Sequence, residues 1–368
     1  MLTAGIIGMP NVGKSTLFNA LTAGHANVSN YPFTTIDSNI GMADVPDHRL
    51  EELARVLEPE EVVACTIEFF DIAGLVEGAS HGEGLGNQFL GNIRSVDTLV
   101  HVLRCFGGTD VAHVLTETDP VRDARLVETE LLLADLEVLK GSIEKRRRTW
   151  KADPKKFADE EDRLIGYLRL LEEGTPLLSL ELDRRHRREL KALGLMSGKP
   201  TLYVANVDED DCGGDEPSAV TELRSLGAWP GSSEPVAVVP ISAKIEWELS
   251  QLEPAERSEF MGDLGIEVSG LERLVESTFE HLGLIRFYTL ANDKLRAWEI
   301  ERGTMAPQAA GKVHSDMERG FVRAYVASWE EVVAYGGLHE LHHSGKLRTE
   351  GKQYAVRDGD VVEFLFSP

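Results

Sequence analysis

Apolar positions along this chain fall into two kinds of pattern. Short continuous runs occur at Leu2–Ile7 and at residues 66–70, 98–103, 201–205 and 236–241. Runs of this length, bounded by polar or glycine-containing stretches, predict strands buried on both faces, as in a parallel sheet covered by helices. Between the third and fourth runs the period changes. From Pro120 to about Met196 the chain is laced with charge, and Leu126, Leu131, Leu132, Leu136 and Leu139 recur at helical spacing. Breaks near Asp153-Pro154 and Gly174-Thr175-Pro176 divide this stretch into an antiparallel helical hairpin, coiled-coil-like but too irregular for clean heptads. The strand pattern resumes at Pro200, so the hairpin is an insertion into an α/β domain. Past about Arg286, residues 322–326 alternate like a strand, and Asp358-Gly359 turns into another at 361–366. The expected domains are 1–120 with 199–285, the helical insertion 121–198, and a small mixed module 286–368.

The first strand run leads into the main chemical signal. Residues 8–15 read GMPNVGKS, the pattern G-x-x-x-x-G-K-S. A strand feeding a glycine loop and then a helix points backbone N–H groups and a helix N-terminus at a pyrophosphate. Asn11, Val12, Gly13, Lys14, Ser15 and Thr16 are the expected phosphate-binding residues, with Lys14 as the cation and Ser15 as a magnesium ligand. Downstream, NYPFTTI (30–36) offers a threonine to complete the magnesium shell. Thr35 is the choice and Thr34 the alternative. The run at 66–70 ends in Asp71-Ile72-Ala73-Gly74, a D-x-x-G in which Asp71 holds magnesium through water and the Gly74 N–H reports the γ-phosphate. Leu75 stands where Ras-like enzymes carry a water-orienting glutamine, so hydrolysis is expected to be slow or assisted. The candidate helpers are His113, His81, a partner, or potassium held with the aid of Asn11.

Base recognition is read after the run at 201–205. The guanine signature N-K-x-D is here Asn206-Val207-Asp208-Glu209. Glutamate is one methylene longer than aspartate and would crowd a guanine edge, whereas an asparagine amide can pair with adenine N7 and N6. Adenine is favoured. A one-residue slip that makes Asp208 the guanine carboxylate is the alternative. Ser242, Ala243 and Lys244 follow the last run as the loop that backs the base.

Composition narrows the partners. The chain has 368 residues and a formal net charge of −24, with three well-separated cysteines that suggest reduced thiols. No apolar run approaches bilayer length and no leader pattern is seen, so a cytoplasmic protein without a membrane partner is expected. Residues 121–198 carry 17 Lys/Arg against 16 Asp/Glu, and 286–368 carry 11 against 12, so the acidity lies in the α/β domain. Any RNA contact should therefore fall to the two neutral modules, with Lys145, Arg146, Arg147, Arg148 and Lys151, or Arg184, Arg185, Arg187 and Arg188, as candidate phosphate contacts.

Taken together, GMPNVGKST, NYPFTT, DIAGLVEGASHGEGLGNQFL, NVDE, ISAK, GTMAPQAAGKVHSDMERGF and GKLRTEGKQYAVRDGDVVEFLF resemble the YchF family of Obg-like ATPases. The resemblance covers nearly the whole chain and is least specific in the helical insertion. It implies an α/β P-loop NTPase (G-protein-like) domain with an inserted α-helical coiled-coil hairpin and a C-terminal β-grasp (TGS) domain. It also implies ATP preferred over GTP, magnesium held by Ser15 and Thr35, and His113 as the loop histidine that assists hydrolysis. A ribosome partner (50S or 70S) and a role in translation or stress follow from it as well. The expected molecule is a monomeric ATP-hydrolysing switch. The competing readings are an Obg-class GTPase and a nucleotide-sensing adaptor in which hydrolysis is incidental.

Overall fold

A computed structural model describes residues 2–23, 39–72, 85–107, 118–180, 182–212, 216–227 and 236–367. Its described strands, in chain order, are β1 (Leu2–Ile7), β2 (Ile40–Asp44), β3 (Glu61–Val63), β4 (Thr66–Asp71), β5 (Thr98–Arg104) and β6 (Thr201–Asn206), followed by β7 (Val238–Ile241), β8 (Leu284–Ala291), β9 (Lys294–Glu301), β10 (Phe321–Ser328), β11 (Arg348–Glu350) and β12 (Asp360–Phe366). The chain divides into two compact units. One comprises Met1–Ala43 with Glu68–Thr278, the other Asp44–Ile67 with Phe279–Pro368.

The first unit is built on a sheet of order β2-β4-β1-β5-β6-β7. Strands β1, β5, β6 and β7 run parallel, with Ile6 beside Val100 and Val102 beside Val204. Every residue of β5 is buried, as expected of a central strand, including the polar Thr98, His101 and Arg104. The chain leaves β1 toward β4 on one side and β5 on the other. The crevice beyond the carboxyl end of β1 is thus a topological switch point, where α/β sheets bind ligands.

The insertion contains three helices rather than a simple hairpin: Pro120–Ala152, Pro154–Glu172 and Arg184–Leu193. Asp153 both ends the first and caps the second, accepting from the Lys156 N–H, and Pro154 starts the new helix where its missing N–H costs nothing. Leu139, Ile143, Leu164, Leu171 and Leu190 form its core with Trp150. Arg163 clamps Glu189 with two bonds, of 2.6 and 2.9 Å. The insertion is tied down by Asp135, whose buried carboxylate accepts the backbone N–H groups of Met196 and Ser197 at 2.7–2.9 Å.

The second unit carries a sheet of order β11-β10-β12-β8-β9-β3. β8 and β9 form a hairpin through Asn292 and Asp293, both at positive φ as a type I′ turn demands. β12 returns parallel to β8 and antiparallel to β10. The helix Ala306–Val313 buries Ala306, Ala309 and Ala310 in the core beside Phe287, Ala324 and Val362, which completes a β-grasp.

Two boundaries differ from the sequence reading: the C-terminal part of the second unit begins at Phe279 rather than 286, and residues 1–120 do not all belong to the nucleotide domain. Asp44–Ile67 instead packs in the second unit. β3 extends the β-grasp sheet by pairing in parallel with β9, and Glu61 reaches Lys294 at 2.7 Å. Asp47, the N-cap of the helix His48–Leu57, is buried against Arg286 at 3.1 Å and the Tyr288 hydroxyl at 2.7 Å. Burial alone would raise the Asp47 carboxyl, but the Tyr288, Arg286 and Arg49 contacts prevail and hold it below the usual range. Arg286 and Tyr288 lie over 230 residues from Asp47 in sequence, beyond the reach of local pattern.

Candidate nucleotide site

The glycine loop follows β1 and opens the helix Lys14–Ala23. Its turns need unusual backbone. Gly8 sits at φ +149°, where a Cβ would lie 2.3 Å from the Val102 carbonyl oxygen, and Asn11 is held at φ +62°. Lys14 is 7 % exposed and curls back over the loop, donating to the Gly8 carbonyl at 3.0 Å and the Met9 carbonyl at 2.7 Å. An ammonium has three donors, so one is left to meet a phosphate oxygen. Burial pulls the Lys14 ammonium down to about 8, with Asp71 pulling in the opposite direction. Behind the loop, burial drives His101 on β5 down to about 3, so this ring adds no positive charge near neutral pH.

Asp71 ends β4 beside the loop, and the Ser15 hydroxyl donates to its Oδ2 at 3.2 Å. Its Oδ1 is buried without a hydrogen-bond partner among the described residues. A hydroxyl and a half-committed carboxylate side by side form an oxygen donor set that fits a hard divalent cation such as magnesium. The third expected ligand, Thr35 (with its alternative Thr34), lies outside the described residues, as do Gly74, Leu75, His81 and His113.

On the base side, Asn206 ends β6 and its amide bonds to backbone on both sides. Nδ2 donates to the Val12 carbonyl at 2.9 Å, and Oδ1 accepts from the Ala243 N–H at 3.0 Å. Asn206 therefore clamps the phosphate loop to the loop after β7, a role that the sequence reading, which gave it an adenine contact, did not include. Gly13 makes this approach possible, since a Cβ there would sit 2.2 Å from Asn206 Nδ2. Asp208 accepts the Gly107 N–H at 2.8 Å, and Glu209 pairs with Lys244.

Between these elements lies a cavity of 410 Å³. Asn11, Gly13, Lys14, Ser15 and Thr16 line its phosphate end, and Asn206, Val207, Glu209, Ser242, Ala243 and Lys244 its far end. Val12 is buried beneath the loop and contributes its carbonyl to the clamp. Asp208, weighed only as an alternative, also lines the cavity. So does Phe106, which sequence reasoning missed. Its ring lies 4.5 Å from the Arg104 guanidinium. An aromatic residue two positions past the end of a central strand was the available signal.

Comparison with known proteins agrees with this geometry. Residues 284–367 match the family model "YchF-GTPase_C: Protein of unknown function (DUF933)", and residues 3–134 match "MMR_HSR1: 50S ribosome-binding GTPase". The "Ribosome-binding ATPase YchF" of Bacillus subtilis (strain 168) is 42 % identical over 369 residues, covering 100 % of this chain and 99 % of that protein. The protein of the same name from Escherichia coli O157:H7 is 42 % identical over 363 residues, covering 99 % and 98 %. Among solved structures, the Schizosaccharomyces pombe YchF GTPase superposes with a TM-score of 0.85 at 32 % identity, covering 99 % of this chain and 97 % of the other. A GTP binding protein from Pyrococcus horikoshii OT3, at 20 % identity and a TM-score of 0.63, shares the fold. With relatives matched end to end, and with a phosphate loop clamped to an N-V-D-E strand end, this chain belongs to the YchF family.

Proposed function

We propose that this protein binds and slowly hydrolyses ATP, and that its nucleotide state governs docking to the ribosome. The observation that carries the adenine preference is the strand end itself: Val207 stands where the guanine signature has lysine, and the longer Glu209, paired with Lys244, stands where it has aspartate. The relatives' printed name, ribosome-binding ATPase, supports both halves of the reading.

Ser15 and Asp71 would hold magnesium, with Thr35 as the further ligand, and the ion would neutralise charge shared by the β- and γ-phosphate oxygens. The chain's own residues do the positioning. Lys14 sets a cation over the loop, and the helix Lys14–Ala23 turns its positive end toward the phosphates. Gly74 reports the γ-phosphate, His113 assists hydrolysis, and potassium beside Asn11 is a further aid. Exposed Lys145, Arg148, Lys151, Lys155 and Lys156 gather around the turn between the first two insertion helices and would meet rRNA phosphates. We read the protein as a cytoplasmic monomer. Among the described residues no helix is long and apolar enough to cross a membrane.

Calorimetry of nucleotide-free protein with ATP and with GTP, in magnesium and potassium, tests the reading. A preference for ATP of tenfold or more is expected, together with turnover stimulated by ribosomes. Preference for GTP would return the chain to the Obg-class GTPases. Turnover that neither ribosomes nor potassium stimulate would favour the adaptor reading.

A further inference from the structure

The β-grasp unit carries a second cluster of chemistry, far along the chain from the phosphate loop. Residues 339–343 read His-Glu-Leu-His-His, so His339 and His343 stand four apart with a glutamate after the first, the H-E-x-x-H spacing. They lie on the short helix Leu338–His343. Only Leu341 of that helix is buried, and the His339 side chain is 78 % exposed.

The two rings are arranged as a pair. Their centroids are 4.4 Å apart with the planes nearly perpendicular, and the Nε2 atoms share a hydrogen bond of 3.2 Å that a bound ion would replace. Zinc–imidazole bonds are about 2.0–2.1 Å, so an ion bridging nitrogens at this separation would subtend about 100–106°, close to the tetrahedral angle. Glu340 lies on the other side of His339, its Oε1 3.7 Å from Nδ1. A carboxylate there favours the tautomer that carries the proton on Nδ1 and frees Nε2 for a metal. His342 packs edge-on at 6.2 Å against both Tyr325 and His343, and its ring makes no hydrogen bond to the pair.

We propose that His339 and His343 form a binding site for a borderline divalent transition-metal ion (zinc, nickel or copper), with water completing the coordination. Imidazole is the ligand these ions share, and magnesium prefers oxygen. Peptidase chemistry does not follow from the motif. A catalytic zinc needs three protein ligands, and among the described residues no group of three metal-ligating side chains gathers. Glu340 also folds back on the start of its own helix, where a Cβ on Gly337 would sit 2.7 Å from Oε2.

The test is titration of full-length, tag-free, nucleotide-free protein with Ni2+ alone and then Zn2+ alone, followed by calorimetry. One saturable equivalent is expected for each metal. His339→Ala and His343→Ala should each abolish it, and His342→Ala should retain it. All three side chains are exposed, and unchanged circular dichroism and melting would confirm intact folds. Glu340→Gln should weaken binding about tenfold without abolishing it. Absence of a saturable event in the parent protein would overturn the proposal. So would an undiminished event in the His339→Ala/His343→Ala double variant, or complete loss in Glu340→Gln.

Discussion

Replacing Asn206 with alanine asks whether its amide is a clamp or a base reader. The side chain makes two buried bonds, to the Val12 carbonyl at 2.9 Å and from the Ala243 N–H at 3.0 Å. Each is worth about 1 kcal/mol net, and a backbone group left dry and unpaired adds about 1–3 kcal/mol. Water entering the vacated space from the adjoining cavity would recover part of this, which leaves a loss of about 2–4 kcal/mol. Expressed in stability, at about 2–4 °C per kcal/mol, that is a fall in melting temperature of roughly 5–15 °C. Expressed in binding, 1.4 kcal/mol is about tenfold, so the loss reaches roughly 30-fold or more. The assay is a thermal melt of nucleotide-free protein alongside calorimetry with ATP and GTP. A clamp acts on the loop that holds the phosphates, which both nucleotides share, so both affinities should fall by the same factor. Loss of ATP affinity with GTP untouched would show Asn206 to be a base reader and refute the clamp. Wild-type melting together with wild-type affinity would refute any role for the amide.

Other expectations follow from the same geometry. Gly13→Ala should weaken nucleotide binding more than tenfold by calorimetry, because its Cβ would meet Asn206 Nδ2 at 2.2 Å from a backbone at φ +97°. The Lys14 ammonium is drawn down to about 8, and phosphate would raise it again. ATP binding near pH 8 should therefore take up a proton, seen as a dependence of the binding heat on buffer ionisation, and affinity should fall as pH rises from about 8. Val207→Lys combined with Glu209→Asp restores the guanine signature and frees the 209 position from Lys244, and should shift the ATP-to-GTP affinity ratio toward GTP by about 10–100-fold. Asp135→Ala leaves the Met196 and Ser197 N–H groups buried without a partner and should cost about 2–4 kcal/mol, read in a denaturant melt.

Much of this protein was legible in its sequence for a local reason. A strand buried on both faces is mostly apolar, so β1, β5 and β6 announced themselves as runs, with ends within a residue of those observed. The phosphate loop was equally plain, because backbone that wraps an anion needs glycine at fixed positions, and Gly8 and Gly13 occupy the strained φ values. Asp153-Pro154 marked the break in the insertion because proline cannot continue a helix. Other features were decided only by tertiary structure. The transfer of Asp44–Ile67 to the β-grasp unit rests on pairing with β9 and on Asp47 meeting Arg286 and Tyr288, contacts between residues remote in sequence. Asn206 was readable as a site residue, but its partners Val12 and Ala243 lie 194 and 37 positions away, so composition alone could not distinguish a base contact from a clamp. Asp208 and Glu209 were legible as candidate carboxylates, but their partners Gly107 and Lys244 were assigned only by folding. Residue type and local period set which elements form and which groups can bind phosphate, while the long-range packing of those elements decides which donors and acceptors are already spent.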